Sequence, residues 1–434
     1  VTATQIGVAS IVAMLFLIYT GMHVPVAFCL VSLIGVWGIK GSFEQASTLL
    51  ALATADAVST YDYGVIPLFV LMGLLVSVAE LGRDAFLAAN ALLGRVRGGL
   101  GVATVGANAL FAAVTGVSIA SATVFTRIAV PEMIRLGYRK RFAVGVVAGS
   151  SVLGMLIPPS LLLIVYGLLS EQSIGELFIA GIVPGLLLAL VFALMIVAAA
   201  TFTPGWVYDR ATPRDAAVGI ARALAQLLPL LGLAGLVIGG IYAGWFTATE
   251  SGAVGALGAF VLALGRRKLT WAGAWRVLVE TGQVTVSVLF VVIAANIYTR
   301  LIALSGLPGV LNDLIAGAHL GFFLLLLIYT VVIVLMGTMI DAVSIMLIMV
   351  PMFLPLLAPF QVNLIWFGIV TVIAAEIGLL TPPFGLSVFV IKSTLSDAGI
   401  TLHDIFAGAA PFAVAMFLVL MLIILAPGIV TAPL

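Results

Sequence analysis

Apolar residues run in blocks of about twenty along the whole chain, interrupted by short polar or glycine-rich connections, which is the pattern of helices that cross a membrane. Spans are predicted near Ile6–Tyr19, Val24–Ile39, Val65–Leu81, Arg141–Leu169, Phe178–Ala200, Leu224–Ile241, Ser251–Leu264, Thr281–Ala303, Leu364–Ile391 and Ala407–Leu425. Two further apolar regions, 98–134 and 320–360, are too long for one span and carry a small polar cluster at their centres. Each reads as a re-entrant helical hairpin that enters and leaves on one side.

Two of the spans contain adjacent prolines: Pro158 and Pro159 in "GMLIPPSLLLIVYG", and Pro382 and Pro383 in "AEIGLLTPPFGLSVFVIK". Proline lacks the backbone donor and clashes with the preceding turn, so each pair breaks its helix where lipid cannot satisfy the freed carbonyls. The double proline belongs to a longer repeat. "GVSIASATVFTRIAVP" aligns with "GTMIDAVSIMLIMVP", setting Ser118 against Thr338, Ser121 against Asp341 and Pro131 against Pro351, and "AELG" at Ala79–Gly82 matches "ALSG" at Ala303–Gly306. The order of features is shared by both halves.

Charge supplies the sidedness. All 18 Lys and Arg residues except Lys40, Arg127 and Arg300 fall on one face once both hairpins are counted as re-entrant: Arg83, Arg95, Arg97, the run "RLGYRKR", Arg210, Arg214, Arg222, "RRK" at Arg266–Lys268, Arg276 and Lys392. The positive-inside rule makes that face cytoplasmic, puts both termini outside, and has the two hairpins enter from opposite faces. The predicted fold is therefore an all-α polytopic membrane protein of two inverted repeats, each holding a re-entrant hairpin and a broken helix. Its parts are N-terminal scaffold helices with an interfacial helix (1–63), repeat 1 (64–200), a central cytoplasmic connection with scaffold and a second interfacial helix (201–280), and repeat 2 with the last helix (281–434). The segments "KGSFEQASTLLALATADAVSTYDY" and "RRKLTWAGAWRVLVE" suit interfacial helices or ordinary connecting ones.

Composition agrees with this class and removes others. The chain of 434 residues is 63% hydrophobic and 8% charged, with mean hydropathy +1.33. A net charge of +1 implies no nucleic-acid partner. Cys29 is the single cysteine, which excludes an intrachain disulfide or thiolate metal cluster. His23, His319 and His403 are scattered, and no cluster of acids or histidines suggests a catalytic site, a cofactor or a transition metal. The segment Thr4–Thr20 has no basic leader and runs directly into the next span, so it reads as a first membrane helix rather than a cleaved signal.

A helix broken at bilayer depth beside a hairpin tip exposes carbonyls, amides and helix ends, which suit a hard cation and an anionic carboxylate. Two half-sites for Na⁺ follow. The first comprises Gly116, Ser118, Ser121, Gly154 and Pro158, and the second Gly337, Thr338, Asp341, Gly378, Thr381 and Pro382. Ser118, Pro159, Ser160, Thr338 and Pro383 are the candidates for substrate contact.

These motifs carry a resemblance. "GVSIASA…VPEMIRLGY", "LIPPSLLLIVYG…LFIAGIVPG", "MIDAVSIMLIMVPMFLP" and "FGIV…EIGLLTPPFGLSVFV" resemble, over nearly the whole chain, the large membrane subunit of tripartite ATP-independent periplasmic (TRAP) transporters. The resemblance implies an elevator-type importer of small organic acids in the bacterial inner membrane. Such an importer is driven by Na⁺, fed by a periplasmic substrate-binding protein, and completed by a small four-helix membrane subunit, here expected as a separate chain. The first tip departs from the family pattern, with Val117 in place of a Ser and Ser121 in place of an acid. A proton- or Na⁺-coupled organic-anion carrier without a binding protein is the alternative; a polytopic membrane enzyme or a channel fits the sequence less well.

Single charged residues have competing readings. A carboxylate at Asp341, in an otherwise uncharged hairpin, costs at least about 2.5 kcal/mol unless compensated, by ion binding or by capping the returning helix. Glu376 reads as a coupling carboxylate or an interhelix hydrogen-bonding group, Glu250 as a polar staple between scaffold helices, and Arg127 as a snorkelling residue or a substrate contact. The sidedness is testable by labelling with Cys29 replaced by Ser. Arg139→Cys should react with a membrane-impermeant maleimide from the cytoplasmic side only and Glu171→Cys from the outside only; the opposite pattern would invert the topology.

Overall fold

The computed structural model describes residues 2–209, 220–317, 321–395 and 399–434. Arg210, Arg214 and His319 lie outside the described residues. The first half runs α1 (Ala3–Tyr19), α2 (Val24–Lys40), α3 (Phe43–Val58), α4 (Val65–Val78), α5 (Leu81–Leu93), α6 (Gly99–Thr115), α7 (Ser118–Arg135), α8 (Lys140–Ser151), α9 (Leu153–Leu156), α10 (Leu161–Ser170) and α11 (Ile174–Phe202). The second runs α12 (Pro204–Val207), α13 (Ile220–Tyr242), α14 (Ala248–Gly265), α15 (Trp271–Leu304), α16 (Leu307–Gly317), α17 (Phe322–Gly337), α18 (Ala342–Leu357), α19 (Leu364–Leu380), α20 (Leu386–Thr394), α21 (Leu402–Leu425) and α22 (Gly428–Thr431). No strand forms among the described residues. Several helices are long and apolar enough to cross a membrane, among them Ile174–Phe202 and Leu402–Leu425. The chain is an all-α polytopic membrane protein.

The core is built from the two proline-broken segments. In α19 every residue from Ile365 to Leu380 is buried, and in α8 and α9 so is every residue from Phe142 to Leu156. A helix that is apolar all round must be covered all round. Here each repeat covers the other: the Tyr166 hydroxyl of α10 donates to the Leu364 carbonyl at 2.6 Å. Gly368 of α19 lies so close to the Tyr166 ring that a Cβ there would stand 2.5 Å from it. Trp366 donates its indole N–H to the Ile423 carbonyl of α21 at 3.0 Å. Around this core, α1, α2 and α15 pack together and α4 packs on α14. The outer face of α11 shows Leu186, Leu190 and Leu194 more than half exposed at one-turn spacing, a stripe for lipid.

α6 and α7 form a hairpin, joined by Gly116 and Val117 alone. Its open end is clamped by the start of the central connection. Gly98 gives α6 no capping side chain, and the orphan N–H groups of Gly98 and Leu100 donate instead to the phenols of Tyr208 (2.8 Å) and Tyr138 (3.3 Å). Burial holds the Tyr138 phenol above its ordinary pKa, in the protonated form. Arg139 pairs with Asp209 at 2.9 Å on the same face. Arg266 with Asp84, and Lys268 with Glu80 at 2.9 Å, join the end of α14 to the start of α5.

Two expectations from sequence are revised. Residues 271–280, assigned to a second interfacial helix, are the first turns of α15, which continues unbroken to Leu304 over about 51 Å at 1.5 Å per residue. No Pro interrupts α15, which accommodates Gly273 and Gly282 within the helix, whereas α3 and α4 are separated by Ser59, Thr60 and a short tight turn at Tyr61–Gly64. Glu250 staples no neighbouring helix: it is exposed and closes a capping box with Thr247 at the start of α14, donating nothing and accepting the Thr247 N–H at 2.8 Å.

Close backbone approach holds the core together, as where Gly145 of α8 meets Gly408 of α21: a Cβ on Gly145 would stand 2.2 Å from the Gly408 carbonyl oxygen. Gly145→Val should destabilise the protein by roughly 1–3 kcal/mol through overpacking, seen as a lower Tm in detergent. Gly232→Ala, where nothing lies within 4 Å, should leave Tm unchanged or raise it.

Candidate ion and substrate site at the helix breaks

Both proline pairs end a helix. α9 stops at Leu156, Ile157 to Ser160 run without helix, and α10 starts at Leu161; α19 stops at Leu380 and α20 starts at Leu386. The Pro158–Pro159 and Pro382–Pro383 bonds are both cis. Each break is met by a hairpin tip through the same hydrogen bond. The Leu161 N–H, two residues beyond Pro159, donates to the Gly116 carbonyl at 3.0 Å. Two residues beyond Pro383, the Gly385 N–H donates to the Thr338 carbonyl at 3.2 Å. Gly116 and Thr338 are the residues that end the inbound arms of the two hairpins.

Steric fit explains the glycines. Gly116 is left-handed (φ +66°), and a Cβ on it would lie 2.4 Å from the Pro159 carbonyl oxygen. A Cβ on Gly154 would stand 3.1 Å from the Ser118 amide nitrogen. In the second half-site Gly337 and Gly378 face each other, and a Cβ on Gly378 would reach 2.5 Å from the Gly337 Cα. So Gly116, Ser118, Gly154, Pro159 and Ser160 are brought together around one break, with Pro158 in the break itself. Gly337, Thr338, Gly378, Thr381, Pro382 and Pro383 are gathered around the other.

The two half-sites differ in polarity and cover. In the first, Ser118, Ser121, Pro158, Pro159 and Ser160 are all buried. Ser160 starts α10 as its cap, accepting the Leu163 N–H at 3.3 Å and donating to the Met155 carbonyl. In the second, Pro382, Pro383 and Phe384 are exposed. The hydroxyls of Thr338 and Thr381 donate to the carbonyls of Leu335 (2.8 Å) and Ile377 (2.7 Å), which leaves their oxygen lone pairs as acceptors. Carbonyl and hydroxyl oxygens are ligands for a hard cation, and no group of three His, Cys, Asp or Glu suited to another metal occurs among the described residues.

Asp341 is the N-cap of α18, accepting the Ser344 N–H at 3.0 Å and the Ser344 hydroxyl at 2.5 Å. This corrects its pairing with Ser121. The second tip is longer, running Thr338–Asp341 where the first has Gly116 and Val117, so Asp341 stands where Val117 stands and Pro355, not Pro351, stands where Pro131 does. Ser121 lies one turn into α7, buried, with its hydroxyl unpartnered. Arg127 is exposed on the outer face of α7 and takes no part in either half-site.

One contact was not foreseen. Glu376 of α19, 1% exposed, faces the Ser118 hydroxyl of the first tip at 3.5 Å through Oε1, while Oε2 has no partner. The signal available was the isolated acid five residues before Thr381; nothing in sequence indicated that it reaches the opposite repeat. Elsewhere, a cavity of about 1040 Å³ opens among Asp56, Asp62, Glu171, Glu176, Asn296 and Arg300, and none of the predicted site residues line it.

Paired broken helices, each pinned by a hairpin tip, define a membrane transport protein rather than a soluble or purely structural bundle. The fold is shared with the YdaH transporter of Alcanivorax borkumensis at TM-score 0.59, over 88% of this chain and 87% of that one; at 14% identity the likeness is one of fold alone. Over residues 11–429 the chain matches the family described as tripartite ATP-independent periplasmic transporter, DctM component, and it belongs to that family. It is 33% identical over 88% of both chains to the C4-dicarboxylate TRAP transporter large permease protein of Pseudomonas aeruginosa. To the sialic acid TRAP transporter large permease protein of Vibrio cholerae it is 30% identical over 97% of this chain and 96% of the other.

The tip glycines can be tested directly. Gly116→Ala and Gly378→Ala should abolish or cut uptake at least about tenfold in reconstituted vesicles, because each places a Cβ against backbone, and for Gly116 in a left-handed conformation as well. Gly309→Ala, with nothing within 4 Å, should leave uptake intact.

Proposed function

We propose that this chain is the membrane permease of a secondary importer that carries a small organic acid across the bacterial inner membrane, driven by a Na⁺ gradient. Its substrate is delivered by a periplasmic binding protein, and a small four-helix membrane subunit works beside it. The observation that carries the reading is the repeated bond between a tip carbonyl and the amide after a proline pair: Gly116 with Leu161, and Thr338 with Gly385. Each half-site presents oxygen ligands and opens a helix N-terminus at α10 and α20, a pairing suited to Na⁺ and a carboxylate together. Membership of the DctM family, and the C4-dicarboxylate and sialic acid named for relatives, support an organic acid as the cargo.

In this reading Na⁺ binds first and organises the tips, the substrate carboxylate follows against Ser118, Pro159, Ser160, Thr338 and Pro383, and the hairpins with the broken helices cross as one body. The scaffold of α1, α2, α4, α14 and α15 stays in place. Uptake into proteoliposomes should require an inward Na⁺ gradient, and uptake indifferent to Na⁺ would refute the coupling. Asp341→Asn keeps an N-cap on α18 but removes the charge. The variant should retain its Tm and need about tenfold more Na⁺ for half-maximal uptake; an unchanged Na⁺ requirement would reduce Asp341 to a cap.

A further inference from the structure

The backbone between α19 and α20 is both irregular and exposed, and the combination fixes what it faces. Pro382, Pro383 and Phe384 lie in the middle of a segment predicted to span the membrane, and all three are open to solvent. Irregular backbone at bilayer depth is tolerated only where protein buries it or where it lines a water-filled cavity. Exposure rules out the first, so this stretch borders water and not lipid.

Three large apolar side chains share that border. Phe384 is 52% exposed, Met339 53% and Phe389 40%. The Phe384 and Phe389 rings are stacked, with centroids 6.5 Å apart and planes at 30°. Met339 directly follows Thr338, whose carbonyl accepts the N–H of Gly385, the residue after Phe384, so the bond between tip and break holds Met339 and Phe384 on adjoining backbone. In repeat 1 the residue after the proline pair is Ser160, fully buried, and the first break has no such aromatic. Apolar faces left in water beside a ligand site gain by being covered.

Charge narrows what can cover them. The segments that build the two half-sites, 116–121, 154–164, 337–344 and 376–391, contain no Lys, Arg or His, and they already carry Asp341 and Glu376. With one carboxylate at the start of α20, no cationic side chain is left there for a second. The Phe and Met faces likewise give the hydroxyls of a sugar-like acid nothing to bond to.

The geometry points to a cargo with one carboxylate and an apolar body: a monocarboxylate whose aromatic or hydrocarbon part lies against Phe384, Phe389 and Met339 while its charged end meets the break. This names the substrate class of the proposed importer and rests on the reading of the helix breaks as its substrate site. Phe384 is then a specificity-determining residue, favouring such acids over dicarboxylates and polyhydroxylated ones.

The experiment is ligand-induced stabilisation of the purified full chain, read as the rise of Tm with ligand concentration, with and without Na⁺. The probes are phenylacetate and isovalerate as apolar monocarboxylates, succinate as a dicarboxylate and gluconate as a polyhydroxylated acid. In Na⁺, at least one apolar monocarboxylate should bind about tenfold or more tighter than succinate and gluconate. Phe384→Ser should weaken that acid by about tenfold or more and leave the half-maximal Na⁺ concentration unchanged, which a general loss of structure would not. Phe384→Leu, which keeps an apolar face, should retain most of the affinity. Met339→Ser should weaken the same acid, and it decides the matter if Phe384→Ser fails to fold. Succinate or gluconate binding as tightly as both monocarboxylates overturns the inference, as do unchanged affinities in both Ser variants or no stabilisation by any of the four acids. If succinate or gluconate binds best and only in Na⁺, this inference falls and the proposed function stands; a monocarboxylate that needs Phe384 but not Na⁺ upholds the inference and defeats the Na⁺ coupling.

Discussion

Every backbone donor and acceptor at bilayer depth must find a partner within the protein, and this structure is arranged around the two places where its helices cannot supply one. A proline pair ends the hydrogen-bond ladder at Leu156 and again at Leu380. In each repeat the amide just beyond the prolines is met by the carbonyl at the end of a hairpin arm. That bond fixes how closely tip and break approach, which in turn excludes a side chain at Gly116, Gly154, Gly337 and Gly378. The same requirement places α8, α9 and α19, the helices that lead into the breaks, where neighbours cover them on every side.

Much of this was legible in the sequence because proline and glycine act locally. Adjacent prolines break a helix whatever surrounds them, and a glycine at a turn between apolar arms marks a hairpin. The repeat could be read for the same reason. The register within it could not. Matching Ser121 to Asp341 assumed tips of equal length, and the longer second tip becomes visible only where the helices end, at Thr338 and Asp341. The continuity of α15 was hidden because mixed apolar and polar residues before a span suit an interfacial helix and the first turns of a long one equally well. The approach of Glu376 to Ser118 depends on how α7, α9 and α19 pack, which no periodicity within one helix records.

The halves repeat their backbone but not their chemistry. Repeat 1 has no carboxylate at its tip and encloses its polar groups completely, with Ser160 capping α10. Repeat 2 caps α18 with Asp341 and leaves Pro382, Pro383 and Phe384 at an exposed surface, where Gly385 in place of a capping side chain begins α20. A common backbone solution therefore carries two unlike sets of polar groups. Glu376, placed on the second repeat, brings a carboxylate to the first tip, which lacks its own.

Rigid-body movement of such a unit requires that its two halves hold each other more firmly than they hold the surroundings. The contact between the broken segments is of that kind, Tyr166 being bonded to the Leu364 carbonyl and pressed against Gly368, and within repeat 2 Tyr329 of α17 bonds to Thr371 of α19 at 2.9 Å. These are buried polar bonds whose loss would leave unsatisfied groups in the core. The contact between α4 and α10 is of another character, made by apolar faces. The hydrogen-bonded contacts and the apolar ones therefore differ in what a displacement across each would cost.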